Sequence, residues 1–252
     1  AAVATCWITG VPAPPARICT SSPAWSYVPA PTDADGIDPA ATADLVRLLR
    51  RQGRRVPMLY LVPTFNNPTG RCLPAARRAA LIEKLGALGL PLVEDNPYGD
   101  LWFDQAPAAS LCSRLPEHSL YLGSFSKILA PGLRLGYVVA PKALYPKLLQ
   151  AKQAADLHTP SFNQRVVAEV LKDGFIDRHV PTIRALYKRQ CEAMLQALER
   201  EMAGLDVKWN RPAGGMFLWA QLPKGMDAVK LLPHAVDKNV AFVPGSAFYA
   251  AN

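Results

Sequence analysis

The chain has 252 residues, of which 28 are basic and 20 acidic, giving a formal net charge of +8, and half of its residues are hydrophobic. This apolar content excludes a disordered chain, and the length suffices for one large domain or a large domain with a small one. No block of about five or six like charges occurs, so the positive charge indicates an arginine-rich surface and no nucleic-acid partner.

The cysteine and histidine patterns argue against disulfide and metal sites. Five cysteines are scattered along the chain without C-x-x-C spacing, which favours a reducing, cytoplasmic location. The histidines share no ligand spacing, so no metal site is expected; they are His118, His158, His179 and His234. Uncharged runs stay shorter than the roughly 18 residues of a membrane span, so no membrane partner is expected.

The first residues differ from the rest of the chain. Residues 1–32 contain six prolines and a single charged residue, Arg17, and the first leucine is Leu45. Three interpretations remain open: a secretory signal, a flexible linker, and a stretch that is not native coding sequence. A secretory signal would lack its usual basic start here. We therefore set residues 1–28 apart as an anomalous, proline- and cysteine-rich segment with neither helical nor strand periodicity, for which a non-native and a disordered interpretation both stay open.

From residue 33 onward, strands alternate with helices. Asp38 and Pro39 predict the start of a helix that runs to about Arg51 with Leu45, Leu48 and Leu49 on one face. A second helix is predicted from Pro74 to Gly89, and strands are predicted over 58–62, 90–93, 119–125 and 136–140. Such alternation predicts an α/β fold with a mainly parallel sheet and helices on both faces.

The rest of the chain is predicted to be mostly helical. Ser161 is the expected cap of a helix that ends at Gly174, and Pro181 the expected start of a long helix. The long helix carries an apolar stripe of Ile183, Tyr187, Cys191, Met194 and Leu198. Two strands around a glycine-rich turn follow over 207–222, then a helix over 227–238 that contains Pro233, and a strand over 240–243. We expect a partial large domain over 29–174 and a partial small α+β domain over 175–252.

Three loops that follow predicted strands carry polar side chains. They span 66–70, 95–98 and 124–134, and ligands of open α/β sheets bind outside the carboxyl ends of the strands. Together they offer an amide, a carboxylate with a phenol, and a lysine between hydroxyls and an arginine. This set of groups matches an aldehyde cofactor with a phosphate.

The motifs in and around these loops resemble those of the fold-type I pyridoxal-phosphate aminotransferases of class I/II. The resemblance runs from about residue 29 to the end and is strongest to the 2-aminoadipate and kynurenine aminotransferase branch. Its blocks, in the order of that family, are NNPTG (66–70), VEDNPY (93–98), GSFSKILAPGLRLGY (123–137), AKQAADLHTPSFNQ (151–164), RPAGGMFLW (211–219) and FVPGSAF (242–248). NPTG alone would be weak, whereas six ordered blocks are specific.

The resemblance implies a catalytic residue and the cofactor pyridoxal 5'-phosphate. Lys127 would condense with the cofactor aldehyde and then shuttle a proton at the substrate Cα. Asp95 would pair with the pyridine nitrogen, and Tyr98 and Asn67 would donate to the ring hydroxyl. Without the motif, Lys127 is a surface lysine, Asp95 a helix cap and Asn67 a turn residue.

The resemblance also implies a phosphate site. Ser124 and Ser126 would give directional hydrogen bonds to the cofactor phosphate, and Arg134 a charged fork; otherwise Arg134 is a free surface charge. Gly214 and the residues after it would border the substrate pocket, or form only a hairpin turn.

The implied reaction is transamination between an amino acid, of 2-aminoadipate, aromatic or branched-chain type, and a 2-oxo acid such as 2-oxoglutarate, in a homodimer. The phosphate-cupping turn, the ring-stacking aromatic residue and the carboxylate-binding arginine of that family are not found, so the chain is expected to be truncated at both ends, poorly soluble and nearly inactive alone. Two alternatives are an aminotransferase-like effector domain of a transcription regulator and an inactive cofactor-binding remnant.

Overall fold

The computed structural model describes residues 4–8 and 26–249, with side chains from residue 27 onward. Most of the anomalous segment 1–28 therefore lies outside the described residues. Within it, strand β1 (Ala4–Ile8) pairs antiparallel with β2 (Ser26–Ala30). The sequence around β1 lacks the polar–apolar alternation that signals a half-buried strand, so only its backbone pairing reveals it.

A four-stranded sheet forms the centre of the fold. The elements that build and cover it are β3 (Thr32–Asp33), β4 (Gly36–Ile37), α1 (Pro39–Arg51), β5 (Leu59–Leu61), α2 (Ala75–Leu88), β6 (Leu92–Asp95), β7 (Ser119–Ser124) and β8 (Gly136–Val139). The sheet order is β5-β6-β7-β8; the first three strands are parallel and β8 is antiparallel to β7. The predicted α/β fold with a mainly parallel sheet is confirmed.

Local signals explain the ends of the first two helices. The Asp38 carboxylate accepts from the backbone N–H groups of Ala40 and Ala41 and caps α1, as predicted. Gly89 ends α2 in the left-handed conformation with φ 54°. The predicted apolar face of α1 was wrong at Leu48, which is 44% exposed, because the buried face runs through Val46 and Leu49.

The helices after β8 differ from the predictions in their first residues. The elements are α3 (Tyr145–Asp156), α4 (Ser161–Leu171), α5 (Phe175–Glu201), β9 (Lys208–Trp209), β10 (Ala220–Gln221) and α6 (Ala228–Val236). Ser161 is the first helical residue of α4, and its side chain makes no capping hydrogen bond, so the predicted cap was wrong. Helix α5 begins at Phe175 and Pro181 lies inside it, because the first turns of α5 bury Val180 and this packing outweighs the missing proline N–H.

The last predicted strand, over 240–243, does not form. The N–H of Val240 instead donates to Ala235 O and closes the end of α6, and Val240 and Val243 are exposed. Strands β9 and β10 pair antiparallel, as the strand–turn–strand pattern predicted.

Two buried clusters organise the described part of the chain. The first lies between the sheet and helices α1 and α2, around Val46, Leu59 and Leu92. The second is centred on Phe65 and Tyr98 and includes Val180 of α5. Helix α5 follows the predicted domain boundary at 174/175, yet its Val180 packs with residues that precede that boundary. The division into two domains therefore stays a prediction.

Candidate active site

Three loops meet at one edge of the sheet. Strands β5, β6 and β7 run parallel, so their carboxyl ends lie at the same edge. Asp95 is the last residue of β6 and Ser124 the last residue of β7, while the turn around Asn67 follows β5. The topology therefore brings the predicted groups from three separate sequence blocks to a common edge.

The turn after β5 is fixed from both sides. The N–H of Gly70 donates to Asn66 O at 2.6 Å, and Asn210 Nδ2, beyond β9, donates to Thr69 O at 2.6 Å. Gly70 has φ 63°, and a Cβ there would lie 2.8 Å from the carbonyl oxygen of Phe217. Glycine is needed at this position because the C-terminal hairpin packs directly on the turn.

Tyr98 and Asn67 form a pair next to this turn. Tyr98 is 7% exposed, and its ring meets Phe217 edge-on at 5.1 Å between centroids. Burial raises the pKa of the Tyr98 phenol, and a side-chain hydrogen bond with Asn67 opposes that rise. The two residues therefore lie within reach of each other, and their roles toward a cofactor stay predictions.

Asp95 is half-buried beside a phenol that the sequence analysis missed. The hydroxyl of Tyr60 on β5 donates to Asp95 Oδ2 at 2.5 Å. Burial raises the pKa of Asp95, and the bond from Tyr60 lowers it in part. One sequence signal could have revealed Tyr60. Side chains alternate along a strand, so a tyrosine between the buried Leu59 and Leu61 points to the opposite face of the sheet from those two leucines.

The loop from β7 to β8 carries Lys127. Its start is a tight turn, in which Ser124 Oγ accepts from the backbone N–H of Ser126 at 3.1 Å and Phe125 N–H donates to Leu135 O at 3.1 Å. The next residue, Ile128, is buried in the same cluster as Tyr98. This packing anchors half-buried Lys127 to the core beneath the site.

Arg134 lies in the same loop as the two serines. It is exposed, adopts φ 52°, and its Nη1 donates to Pro131 O at 3.4 Å. In the part of the chain that the structure describes, its guanidinium makes no hydrogen bond to Ser124 or Ser126. The predicted phosphate ligands therefore share one loop, but the structure does not bring all of them into contact.

Metal-ligand clusters and membrane-spanning helices are both absent between residues 26 and 249. No group of three or more His, Cys, Asp or Glu side chains there is placed to hold a metal ion. No helix in that region is both long and apolar enough to cross a bilayer.

The family model described as "Aminotransferase class I and II" matches residues 24–252. The chain belongs to this family. The resemblance predicted from six sequence blocks is thereby confirmed. The predicted fold is confirmed as well, because solved aminotransferase structures superpose on this chain.

Individual aminotransferases and regulators share this similarity. The 2-aminoadipate transaminase of Thermus thermophilus is 44% identical over 228 residues, covering 89% of this chain and 56% of that protein. The crystal structure of kynurenine aminotransferase from Pyrococcus horikoshii, in complex with PMP, gives a TM-score of 0.82 at 40% identity over 88% of this chain and 55% of that chain. An uncharacterized HTH-type transcriptional regulator of Bacillus subtilis, YisV, is 33% identical over 217 residues, covering 85% of this chain and 43% of that protein. The chain spans about half the length of the relatives it matches.

Proposed function

We propose that the protein to which this chain belongs catalyses pyridoxal-phosphate-dependent transamination, moving an amine from an amino acid to a 2-oxo acid. The observation that carries the proposal is that Asp95 and the Asn67–Tyr98 pair lie together at the carboxyl ends of two adjacent parallel strands, β5 and β6. A half-buried carboxylate beside a buried phenol is the arrangement that a protonated heterocycle with a ring hydroxyl needs.

The chemistry of the donor set fits this cofactor. Asp95 would hold the pyridine nitrogen, and Asn67 and Tyr98 the ring hydroxyl. Ser124 and Ser126 would donate hydrogen bonds to the phosphate, and the tight turn that joins them would keep both at one place. We include Arg134 as the charged phosphate ligand because it lies in the same loop as the two serines, two residues before β8 begins at Gly136.

The bound cofactor supplies an electron sink for the negative charge that develops when the substrate Cα loses a proton. Lys127 would hold the cofactor and move that proton, because its amine is the one group of the loop that can both bind an aldehyde and accept a proton. Asp95 would keep the ring nitrogen protonated, which requires the carboxylate to be ionised. Partial burial of Asp95 and Tyr98 excludes water and strengthens both contacts.

The substrate class follows from the relatives. The two aminotransferases named above act on 2-aminoadipate and on kynurenine. We therefore propose an amino donor of 2-aminoadipate, aromatic or branched-chain type, with 2-oxoglutarate as the acceptor. A homodimer and a cytoplasmic location belong to the same proposal. The similarity to YisV keeps an effector domain of a transcription regulator as the second candidate.

Trapping of the cofactor on Lys127 tests the proposal. We expect pyridoxal 5'-phosphate to give a visible absorbance band with the purified chain, and borohydride followed by peptide mass spectrometry to place the label on Lys127. Lys127→Ala abolishes band and label, whereas Lys142→Ala, an exposed lysine after β8, keeps both. Absence of label on Lys127 in the folded wild-type chain contradicts the proposal.

Addition of an amino donor separates the two candidate functions. In the protein to which this chain belongs, a transaminase converts the band to that of the amine form of the cofactor on addition of 2-aminoadipate, and 2-oxoglutarate restores it. An effector domain keeps the label on Lys127 without completing this cycle.

A further inference from the structure

The contact between Tyr60 and Asp95 joins two neighbouring strands at the site. Tyr60 lies in the middle of β5 and pairs in register with Val93 of β6, so its side chain reaches two residues onward to Asp95. Its hydroxyl donates to Oδ2 at 2.5 Å. We propose that Tyr60 is a positioning residue, whose hydroxyl holds one oxygen of Asp95 so that the other oxygen is presented to the ring nitrogen of the cofactor. This inference rests on the proposed function.

The chemistry of the pair supports this role. A carboxylate has two oxygens, and an O–H bond of this length to an ionised oxygen is strong and directional. Burial raises the pKa of Tyr60 well above its usual value, with Asp95 as the second cause, so the phenol remains a donor at neutral pH. Burial alone would favour the neutral form of Asp95, and the bond from Tyr60 counteracts it. Tyr60 thus favours both the orientation and the charge that the nitrogen contact needs.

A second phenol shows that the contact is specific. Tyr121 on β7 lies on the other side of β6, in register with Glu94, and its hydroxyl accepts from Asn96 Nδ2 at 2.8 Å. The two tyrosines therefore serve adjacent residues at the end of β6: Tyr121 binds Asn96, and Tyr60 binds Asp95. Tyr121→Phe is the matched control, because it also removes one half-buried hydroxyl from the same sheet.

The experiment compares two ligands that differ only at the ring nitrogen. Dissociation constants of pyridoxal 5'-phosphate and of its 1-deaza analogue, in which a C–H replaces the nitrogen, are measured for wild type, Tyr60→Phe and Tyr121→Phe. We expect Tyr60→Phe to weaken pyridoxal 5'-phosphate about tenfold, as expected for loss of a hydrogen bond to a charged group, and the analogue less than about twofold. Tyr121→Phe should change both constants by the same factor. Thermal unfolding confirms that each variant is folded.

The outcomes separate the inference from the proposed function. Equal weakening of both ligands by Tyr60→Phe, or no weakening of either, overturns the inference and leaves the function intact if borohydride still labels Lys127. A wild-type chain that binds neither ligand and carries no label on Lys127 overturns both. Should Tyr60→Phe fail to fold, Tyr60→Leu, which also lacks a donor, is measured with the same ligands; weakening confined to pyridoxal 5'-phosphate supports the inference, and any other result overturns it.

Discussion

The guanidinium of Arg78 and the carboxylate of Glu94 form a buried ion pair between α2 and β6, with 3.7 Å between Nη1 and Oε1. Arg78 also donates to Pro63 O and to Thr64 Oγ1, in the segment that leads to the turn around Asn67. Glu94 immediately precedes Asp95. The pair therefore connects the two loops that meet at the candidate site, from below the sheet edge.

Removing one partner of this pair should be strongly destabilising. Within the described part of the chain, Glu94 Oε1 has no hydrogen-bond partner and Arg78 supplies the opposite charge, whereas Oε2 accepts from Ser110 Oγ and the Cys112 N–H. We expect Arg78→Met to lower the free energy of unfolding by about 3–5 kcal/mol, because the buried carboxylate loses its opposite charge and keeps only the hydrogen bonds at Oε2. Urea unfolding followed by circular dichroism measures the change.

The adjacent arginine provides the control. Arg77 pairs with Asp33 at 2.8 Å at the protein surface, where water screens the interaction. Arg77→Met should shift the urea midpoint much less than Arg78→Met. Equal shifts for the two variants would show that burial of the Arg78–Glu94 pair carries no special weight.

Gly214 marks a close approach between the C-terminal hairpin and the site. A Cβ at this position would lie 2.5 Å from Phe65 Cζ and 2.6 Å from Leu101 O. Because backbone at Leu101 cannot yield cheaply, we expect Gly214→Ala to cost about 1–3 kcal/mol of stability. Gly86→Ala, in α2 with nothing within 4 Å, should instead stabilise by about 0.5–1 kcal/mol. Thermal or urea unfolding checks both signs, and a neutral Gly214→Ala would contradict the packing.

The sequence predicted the sheet and its loops well because their signals are local. A capping carboxylate at Asp38, a left-handed glycine at Gly89 and short apolar runs each act within a few residues. The motif resemblance then assigned Asp95, Tyr98 and Asn67 to one site, and the structure brings the last two into contact.

The failures came from tertiary contacts. Helix α5 continues through Pro181 because Val180 packs against a cluster formed by distant loops, which no local pattern reveals. Tyr60 was overlooked since its partner, Asp95, lies 35 positions away in the sequence. Arg134 was placed by motif alone, and its backbone and exposure in the structure depend on the turn at Pro131.

The start of α1 should depend on one carboxylate. Asp38 Oδ1 accepts from Ala40 N at 2.9 Å and from Ala41 N at 3.1 Å, which satisfies two N–H groups that the helix leaves unpaired. We expect Asp38→Ala to lower the free energy of unfolding by about 1 kcal/mol. Asp44→Ala, which removes an exposed pair with Arg47 in the same helix, should cost less than about 0.5 kcal/mol. Urea unfolding of both variants tests the difference, and a larger loss for Asp44→Ala would contradict the capping role.

Cys112 should be unreactive in the folded protein. Its Sγ lies against Leu120 O at 3.4 Å, and burial, with the nearby Glu94 carboxylate, raises the pKa of the thiol from 9.0 to about 12. Because only the thiolate reacts, we expect alkylation by iodoacetamide at pH 8 to be roughly 1000-fold slower in the folded chain than in urea. Peptide mass spectrometry follows Cys112 alone.

The same shift in the pKa of Cys112 has a consequence for stability. The unfolded thiol ionises near its ordinary value of 9.0 while the folded thiol stays protonated to about 12, so its contribution to stability is complete below the lower value and is lost as pH rises between the two. Cys112→Ala removes this contribution, and its free energy of unfolding should fall less steeply with pH than that of the wild type over this range. Parallel pH profiles, or equally fast alkylation of the folded and unfolded chains, would mean that Cys112 is accessible to water and that its thiol ionises normally.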